Sequence, residues 1–174
     1  MAEQALMLLM VAPEASPFAK TGGLADVAGS LPATLRALGH DVRMVIPWYR
    51  SVKEITGPLR KDRQKIAIPM GGRIYQAAYR STEMNGVPVY FLDIPEFYDR
   101  PGLYGDKGQD YPDTAERFGI LSRGALELAR QVGFCPDVVH AHDWQTGLVP
   151  VYLHQQLWRD PFFAKTASLF TIHN

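Results

Sequence analysis

The stretch ALMLLMVAPEASPFAKTGGLADVAGSLPATLRALGHDVRMVIP, residues 5–47, decides the fold. Its first seven residues, Ala5 to Val11, are apolar at every position, the pattern of a central parallel strand covered on both faces. Pro13 to Gly23 reads as a loop. Leu24, Val27, Ala28, Leu31, Leu35 and Leu38 then recur at steps of three and four, one apolar stripe on a helix that Gly39 can end. Pro32 falls inside that helix; its ring removes the amide that would bond back to Ala28 and predicts a kink. Asp41 to Pro47, DVRMVIP, is the second strand. Strand, loop, helix, strand is the right-handed crossover unit of an open parallel sheet.

Outward from this unit the pattern changes. Lys65 to Ile68, Arg73 to Tyr79 and Val87 to Ile94 are short strand candidates, and Asn85-Gly86 between the last two is a tight-turn signal. This predicts a small β-hairpin insert. Ile94 to Asp113 reads as a loop rich in Pro, Gly, Tyr and Asp, long enough to imply function or mobility. From Ala115 a helix carrying Phe118, Leu121, Ala125, Leu128 and Ala129 runs to about Val132, where Gly133 can cap it. Asp137 to Ala141 is the next strand, helical spacing returns at Leu148, Val151, Tyr152 and Gln155, and Ser168 to Ile172 is one more apolar strand. The predicted class is α/β, a Rossmann-like open, mainly parallel sheet with helices on both faces. Residues 1–174 read as one domain, with neither a repeat nor a low-complexity linker to divide them.

Composition narrows the function classes. Basic and acidic residues number 18 each, so no net field gathers nucleic acid or holds the chain on an anionic membrane. The longest early apolar run, Ala5 to Ala12, is too short to span a bilayer, and acidic Glu3 stands where a secretory signal carries basic residues. Cys135 is the only cysteine, which excludes an intrachain disulfide and suits a reducing compartment, with the cytoplasm as the expected location.

Three segments carry chemistry. Lys20-Thr21-Gly22-Gly23-Leu24-Ala25-Asp26 joins the first loop to the first helix, where a glycine pair lets backbone amides approach a ligand and the helix N-terminus favours phosphate. The same residues also suit a plain loop with Lys20 in solvent and Asp26 supporting the first helical turn. His140-Ala141-His142-Asp143-Trp144 leaves the carboxyl end of a strand, the side on which open parallel sheets bind ligands. His140 and His142 share a strand face as metal ligands would, but a stable site needs a third ligand and no other His or Cys is expected to cluster with them. Equally, His140 suits a core histidine, Asp143 the N-cap of a helix beginning near Thr146, and Trp144 packing. Thr171-Ile172-His173-Asn174 places polar groups just past the last strand, where His and Asn can bond sugar hydroxyls. Tyr104 and Tyr111, in the long loop, have rings that can stack on sugars.

Taken together, Pro13-Glu14, KTGGLADV (20–27), Leu31-Pro32, Asp99-Arg100-Pro101-Gly102, DVVHAHDW (137–144) and TIHN (171–174) resemble the bacterial glycogen synthase and plant starch synthase family of retaining glycosyltransferases. The motifs keep the family's order and span the whole chain. The resemblance implies the GT-B architecture, two Rossmann-like domains across a cleft, with these residues forming the N-terminal, acceptor-side domain. The C-terminal nucleotide-binding domain lies outside these 174 residues.

It also implies the reaction: glucose passes from ADP-glucose to the nonreducing end of an α-1,4-glucan with retention, without metal or cofactor, ADP-glucose being a substrate. By resemblance, Lys20 contacts the sugar nucleotide and Gly22 and Gly23 bring backbone to its diphosphate. Asp143 and His173 are the catalytic candidates around the transferred glucose, Asn174 sits beside them, and Tyr104 and Trp144 are candidates for acceptor contact. The other reading is a non-catalytic module that binds maltooligosaccharide or a partner protein. Helix faces and a last strand without their usual neighbours predict self-association.

Overall fold

A computed structural model of the chain describes residues 4–59, 61–62 and 64–173. In chain order its elements are β1 (Met7–Val11), α1 (Gly23–Ala37), β2 (Asp41–Pro47), α2 (Arg50–Thr56), β3 (Ile66–Met70), β4 (Arg73–Met84), β5 (Val87–Asp93), α3 (Pro95–Tyr98), β6 (Gly105–Asp106), β7 (Gln109–Asp110), α4 (Thr114–Gln131), β8 (Val138–His142), α5 (Leu148–Gln155) and β9 (Ala167–Thr171). A 3-10 turn over Trp144–Thr146 separates β8 from α5.

Seven strands form one sheet in the order β3-β4-β5-β2-β1-β8-β9. β5, β2, β1, β8 and β9 are parallel, and β4 and β3 extend the sheet antiparallel. The α/β class and the mainly parallel sheet are as the sequence predicts. The predicted hairpin is present as the antiparallel pair β4–β5, and it is continuous with the main sheet. β5 pairs with β2 and is a strand of the main sheet, so the turn at Asn85 (φ 51°) and Gly86 (φ 79°) simply reverses the chain at one edge. Alternation in the sequence marks the strands without saying which neighbour each will take.

The apolar run of β1 is buried because helices cover both its faces. Leu8 and Met10, with Val42 of β2, pack beneath Leu31 and Leu35 of α1. Leu9 and Val11 point into the larger cluster on the other face, with Phe118, Leu121, Ala125 and Leu128 of α4. Each such side chain contributes about 1.5–3 kcal/mol by leaving water. α4 lies close against the sheet: a Cβ on Gly124 would stand 2.8 Å from Ile68 and Leu92. α1 runs on through the buried Pro32 to Ala37. Its predicted stripe is only partly inside, with Leu24 and Ala28 buried but Val27 and Leu38 exposed.

The register sets up the site. Val11 lies beside Val45 and Ala141, and His142 beside Thr171, so the segments after β1, β8 and β9 all leave the sheet at one carboxyl edge. The long segment 94–113 contains α3 and the β6–β7 hairpin rather than unstructured loop. It is pinned from beneath by the buried Arg117, which donates to the carbonyls of Phe97 (2.8 Å) and Leu103 (2.9 Å). Arg100 adds a two-pronged pair with Asp113 at 2.8 and 2.5 Å. Tyr111 packs between the guanidinium groups of Arg100 and Arg117, 4.8 and 4.9 Å from its ring centre, and is structural rather than a free sugar platform.

β9 is the edge of the sheet, and Leu169, Phe170 and Ile172 are exposed there. Among the described residues no helix is long and apolar enough to cross a membrane.

Candidate active site

At the carboxyl edge a cleft of about 740 Å³ opens between the loop after β1, the segment 94–113 and the ends of β8 and β9. Its lining brings together Gly22, Gly23, Tyr104, Asp143, Trp144 and His173, six residues separated by up to 151 positions in sequence and named as candidates from sequence alone. Thr21, Leu24, Val27, Glu14, Asp110 and Gln145 complete it. Asn174 lies outside the described residues.

The glycine pair stands where α1 begins. Gly22 is the N-cap and offers no side chain to the first-turn amides, which leaves them open to a ligand. Its φ of −155° is extended backbone that any residue adopts, so the glycine is not required by conformation. A Cβ at Gly22 or Gly23 would meet nothing within 4 Å. Both face the open cleft, and what their lack of a side chain secures is close approach by a ligand.

Lys20 sits on the rim and is not part of the lining. It pairs with Asp26 at 2.6 and 2.8 Å, both groups exposed, so the cation is held near the mouth of the cleft by the first turn of α1. Among the described residues no Lys or Arg lines the cleft, whereas Glu14, Asp110 and Asp143 do.

Asp143 has φ 63° and ψ 174°, a combination strained for any residue but glycine. The bend turns the chain from β8 into the 3-10 turn. The strain is held by three contacts: its amide donates to the Thr171 carbonyl (2.8 Å), its carboxylate accepts from the Trp144 amide (3.0 Å), and its carbonyl accepts from the Thr146 amide (3.0 Å). The cap reading of Asp143 is realised, although the cap serves the turn and not α5, and the residue also lines the cleft. Trp144 is 56% exposed and rests edge-on against Phe118, 5.4 Å between ring centres, so it presents a broad apolar face. Gln145 beside it is buried with its Oε1 unpartnered, an acceptor left for a donor from the cleft.

Glu14, which the sequence offers only within the Pro13-Glu14 motif, is a further candidate in the lining. It is 3% exposed and its carboxylate accepts from the Thr21 amide (2.5 Å), the Thr21 hydroxyl (2.9 Å) and the Tyr104 hydroxyl (3.1 Å). These bonds tie the glycine loop to the segment 94–113 across the floor of the cleft. The signal was present: a carboxylate three positions beyond a fully apolar central strand falls at the rim where such sheets bind ligands. Burial and the adjacent Glu14 raise the Tyr104 phenol well above its ordinary value, so it stays a donor.

A column of three histidines backs the site. His142 is fully buried, with Nδ1 2.9 Å from Nε2 of His173; His140 stacks against it at 4.0 Å between ring centres and meets the Thr171 hydroxyl at 2.7 Å. The expectation that no third histidine gathers with His140 and His142 is therefore corrected: the pairing of β8 with β9 brings His173 to them. Even so, no group of three His, Cys, Asp or Glu among the described residues is disposed to hold a metal ion. Burial chiefly, then the two neighbouring rings, push His142 down to about 3, and burial and His173 lower His140. Both are neutral at neutral pH.

Comparison with known proteins agrees with this geometry. Residues 7–174 match the family described as starch synthase catalytic domain. Over 167 residues the chain is 50% identical to the glycogen synthase of Syntrophotalea carbinolica, covering 96% of this chain and 34% of that one. It is 44% identical to glycogen synthase 2 of Geobacter sulfurreducens, covering 97% and 35%. Among solved structures, the catalytic domain of starch synthase IV from Arabidopsis thaliana, bound to ADP and acarbose, superposes with a TM-score of 0.82 at 32% identity, over 98% of this chain and 34% of that one. The chain spans about a third of the length of the curated relatives it matches. With the sheet, the cleft and these likenesses in agreement, the chain belongs to the starch synthase catalytic domain family.

Proposed function

We propose that this chain is the N-terminal, acceptor-side part of a glucosyltransferase that moves glucose from ADP-glucose to the nonreducing end of an α-1,4-glucan with retention. The observation that carries the reading is the make-up of the cleft: open amides at a glycine helix start, a strained carboxylate, an exposed tryptophan and a histidine, all on one carboxyl edge. Carboxylates and an aromatic face suit a polyhydroxylated ring, while the amides of Gly23 and Leu24 suit a phosphate oxygen. Asp143 would hold a sugar hydroxyl and His173 would orient the glucosyl ring. The leaving diphosphate would take the acceptor proton on the same face, so that preorganised dipoles do most of the catalytic work. No metal or cofactor enters this scheme.

Because no described Lys or Arg lines the cleft, the diphosphate charge would be matched by Lys20 at the rim and by the second, nucleotide-binding domain that the family resemblance implies. The test joins this chain to the C-terminal two-thirds of the Syntrophotalea carbinolica glycogen synthase and follows incorporation of labelled glucose from ADP-glucose into glycogen. Transfer that falls on Lys20→Ala or Asp143→Ala supports the reading. Absence of transfer by a folded chimera, with maltooligosaccharide still bound by the chain, would instead support a glucan-binding module, which the acidic, tryptophan-bearing cleft also favours.

The free thiol Cys135 accords with a cytoplasmic setting. The exposed Leu169, Phe170 and Ile172 on the β9 edge support self-association of the isolated chain. Sedimentation should show oligomers that Phe170→Lys disperses; a monomer at all concentrations would end that proposal.

A further inference from the structure

The three histidines at the sheet rim form a chain of which His173 alone reaches the cleft. The Nδ1 of His142 and the Nε2 of His173, 2.9 Å apart, share one proton, and the other nitrogen of His142 decides which ring owns it. A neutral imidazole carries a proton on only one nitrogen. Among the described residues the enclosed His142 Nε2 has no hydrogen-bond partner. A proton there would be a buried donor facing no acceptor, a rarer and costlier state than a bare buried acceptor. The proton therefore sits on Nδ1 and is donated to His173. The Nε2 of His173 must then be bare, and the proton of a neutral His173 lies on Nδ1, the ring nitrogen left for a ligand.

We infer that His142 is a positioning residue that fixes the tautomer of His173, so that His173 presents an Nδ1–H donor to a ligand oxygen in the cleft. A donor selects for a lone pair, whether of a sugar hydroxyl or of a phosphate. His140 supports the arrangement by packing against the His142 ring, 4.0 Å between centres, and anchoring to Thr171 at 2.7 Å. Burial keeps His142 from taking a second proton under ordinary conditions. The identity of the ligand rests on the proposed transferase reading; the tautomer does not.

Long-range proton–nitrogen correlation spectra of the 15N-labelled chain at neutral pH read the tautomers directly. The expected result is a protonated Nδ1 and bare Nε2 in both His142 and His173; a His173 protonated on Nε2 overturns the inference without any variant. Adding ADP in one sample and maltotriose in another shows which oxygen the His173 donor meets, by the ligand that moves its Nδ1 signal. His142→Asn, whose amide nitrogen stands near the place of Nδ1, keeps the His173 tautomer. His142→Phe keeps a ring without a donor and should leave His173 as a mixture. In the chimera, His142→Phe lowers kcat about tenfold, the net size of one hydrogen bond, and His142→Asn restores most of it. An unchanged tautomer in a folded His142→Phe chain also overturns the inference. An inactive chimera with the expected tautomer counts against the transferase reading alone.

Discussion

The hydroxyl of Tyr104 donates to the carboxylate of Glu14 at 3.1 Å across ninety positions of sequence, and the same carboxylate holds both the amide and the hydroxyl of Thr21. This is the joint between the glycine loop and the segment that roofs the cleft. Glu14→Ala would leave the Thr21 amide and the Tyr104 hydroxyl without their acceptor in a half-buried setting, at a cost of about 1–3 kcal/mol. Tyr104→Phe removes one donor only and should cost about 1 kcal/mol. Urea unfolding of both variants tests the order; equal effects would show that the loop is held by packing.

Gly22 and Gly23 separate fold from function. With nothing within 4 Å of either Cβ position, Gly22→Ala and Gly23→Ala should fold as well as the parent or gain about 0.4–1 kcal/mol from a stiffer unfolded chain. Their methyl groups fill the approach to the first-turn amides, so ADP affinity in the chimera should fall about tenfold, the loss of one good contact. Gly29→Ala is the control: its Cβ would stand 2.5 Å from the Ser16 carbonyl and should destabilise the fold. Loss of stability without loss of affinity at Gly22 would refute the ligand-approach role.

Asp143→Asn keeps an oxygen for the Trp144 amide and tolerates positive φ nearly as well. Unfolding free energy should change by less than about 1 kcal/mol, while transfer in the chimera drops on the order of a hundredfold for the lost charge. Asp143→Ala also gives up the cap and should lose about 1 kcal/mol of stability. A fully active Asp143→Asn chimera would remove this carboxylate from the mechanism.

His140 and His142 make the fold acid-sensitive. Their folded values lie below the ordinary 6.5, so below that pH the unfolded chain binds protons that the folded chain refuses, and stability falls with the pH. The loss should begin near pH 6.5 and, for His142, continue toward pH 3, with a slope approaching about 1.4 kcal/mol per pH unit for that group, the cost of one pKa unit. Asp99, Asp113 and Asp160 act in a different window. Their partners Lys53, Arg100 and Arg130 lower them below the ordinary 3.8, so their stabilisation stays intact above about pH 4 and is lost only below it. Urea midpoints at pH 7.5 and 5.0 therefore isolate the histidines, and His142→Phe should flatten the difference.

Much was legible in the residues because periodicity is a local property. The apolar run of β1, the spacing of α1 and α4, and the glycines ending them follow from which faces must leave water, and Asp41–Pro47 was bounded to the residue. The short helices α2 and α3 were not seen, since seven and four residues are too few for a periodic signal. Motif and resemblance name six candidates that line the cleft, and of the described candidates only Lys20, turned toward Asp26, stands aside from it.

From the sequence by itself came the strands of the main sheet, the longer helices, the α/β class and the candidate residues, for each depends on neighbours within a few positions or on a recognisable motif. Only the tertiary structure decided that β5 belongs to the main sheet, that Glu14 joins Tyr104, and that His173 bonds to His142. Those contacts link residues 31 to 90 positions apart through strand order and register, which no local pattern encodes.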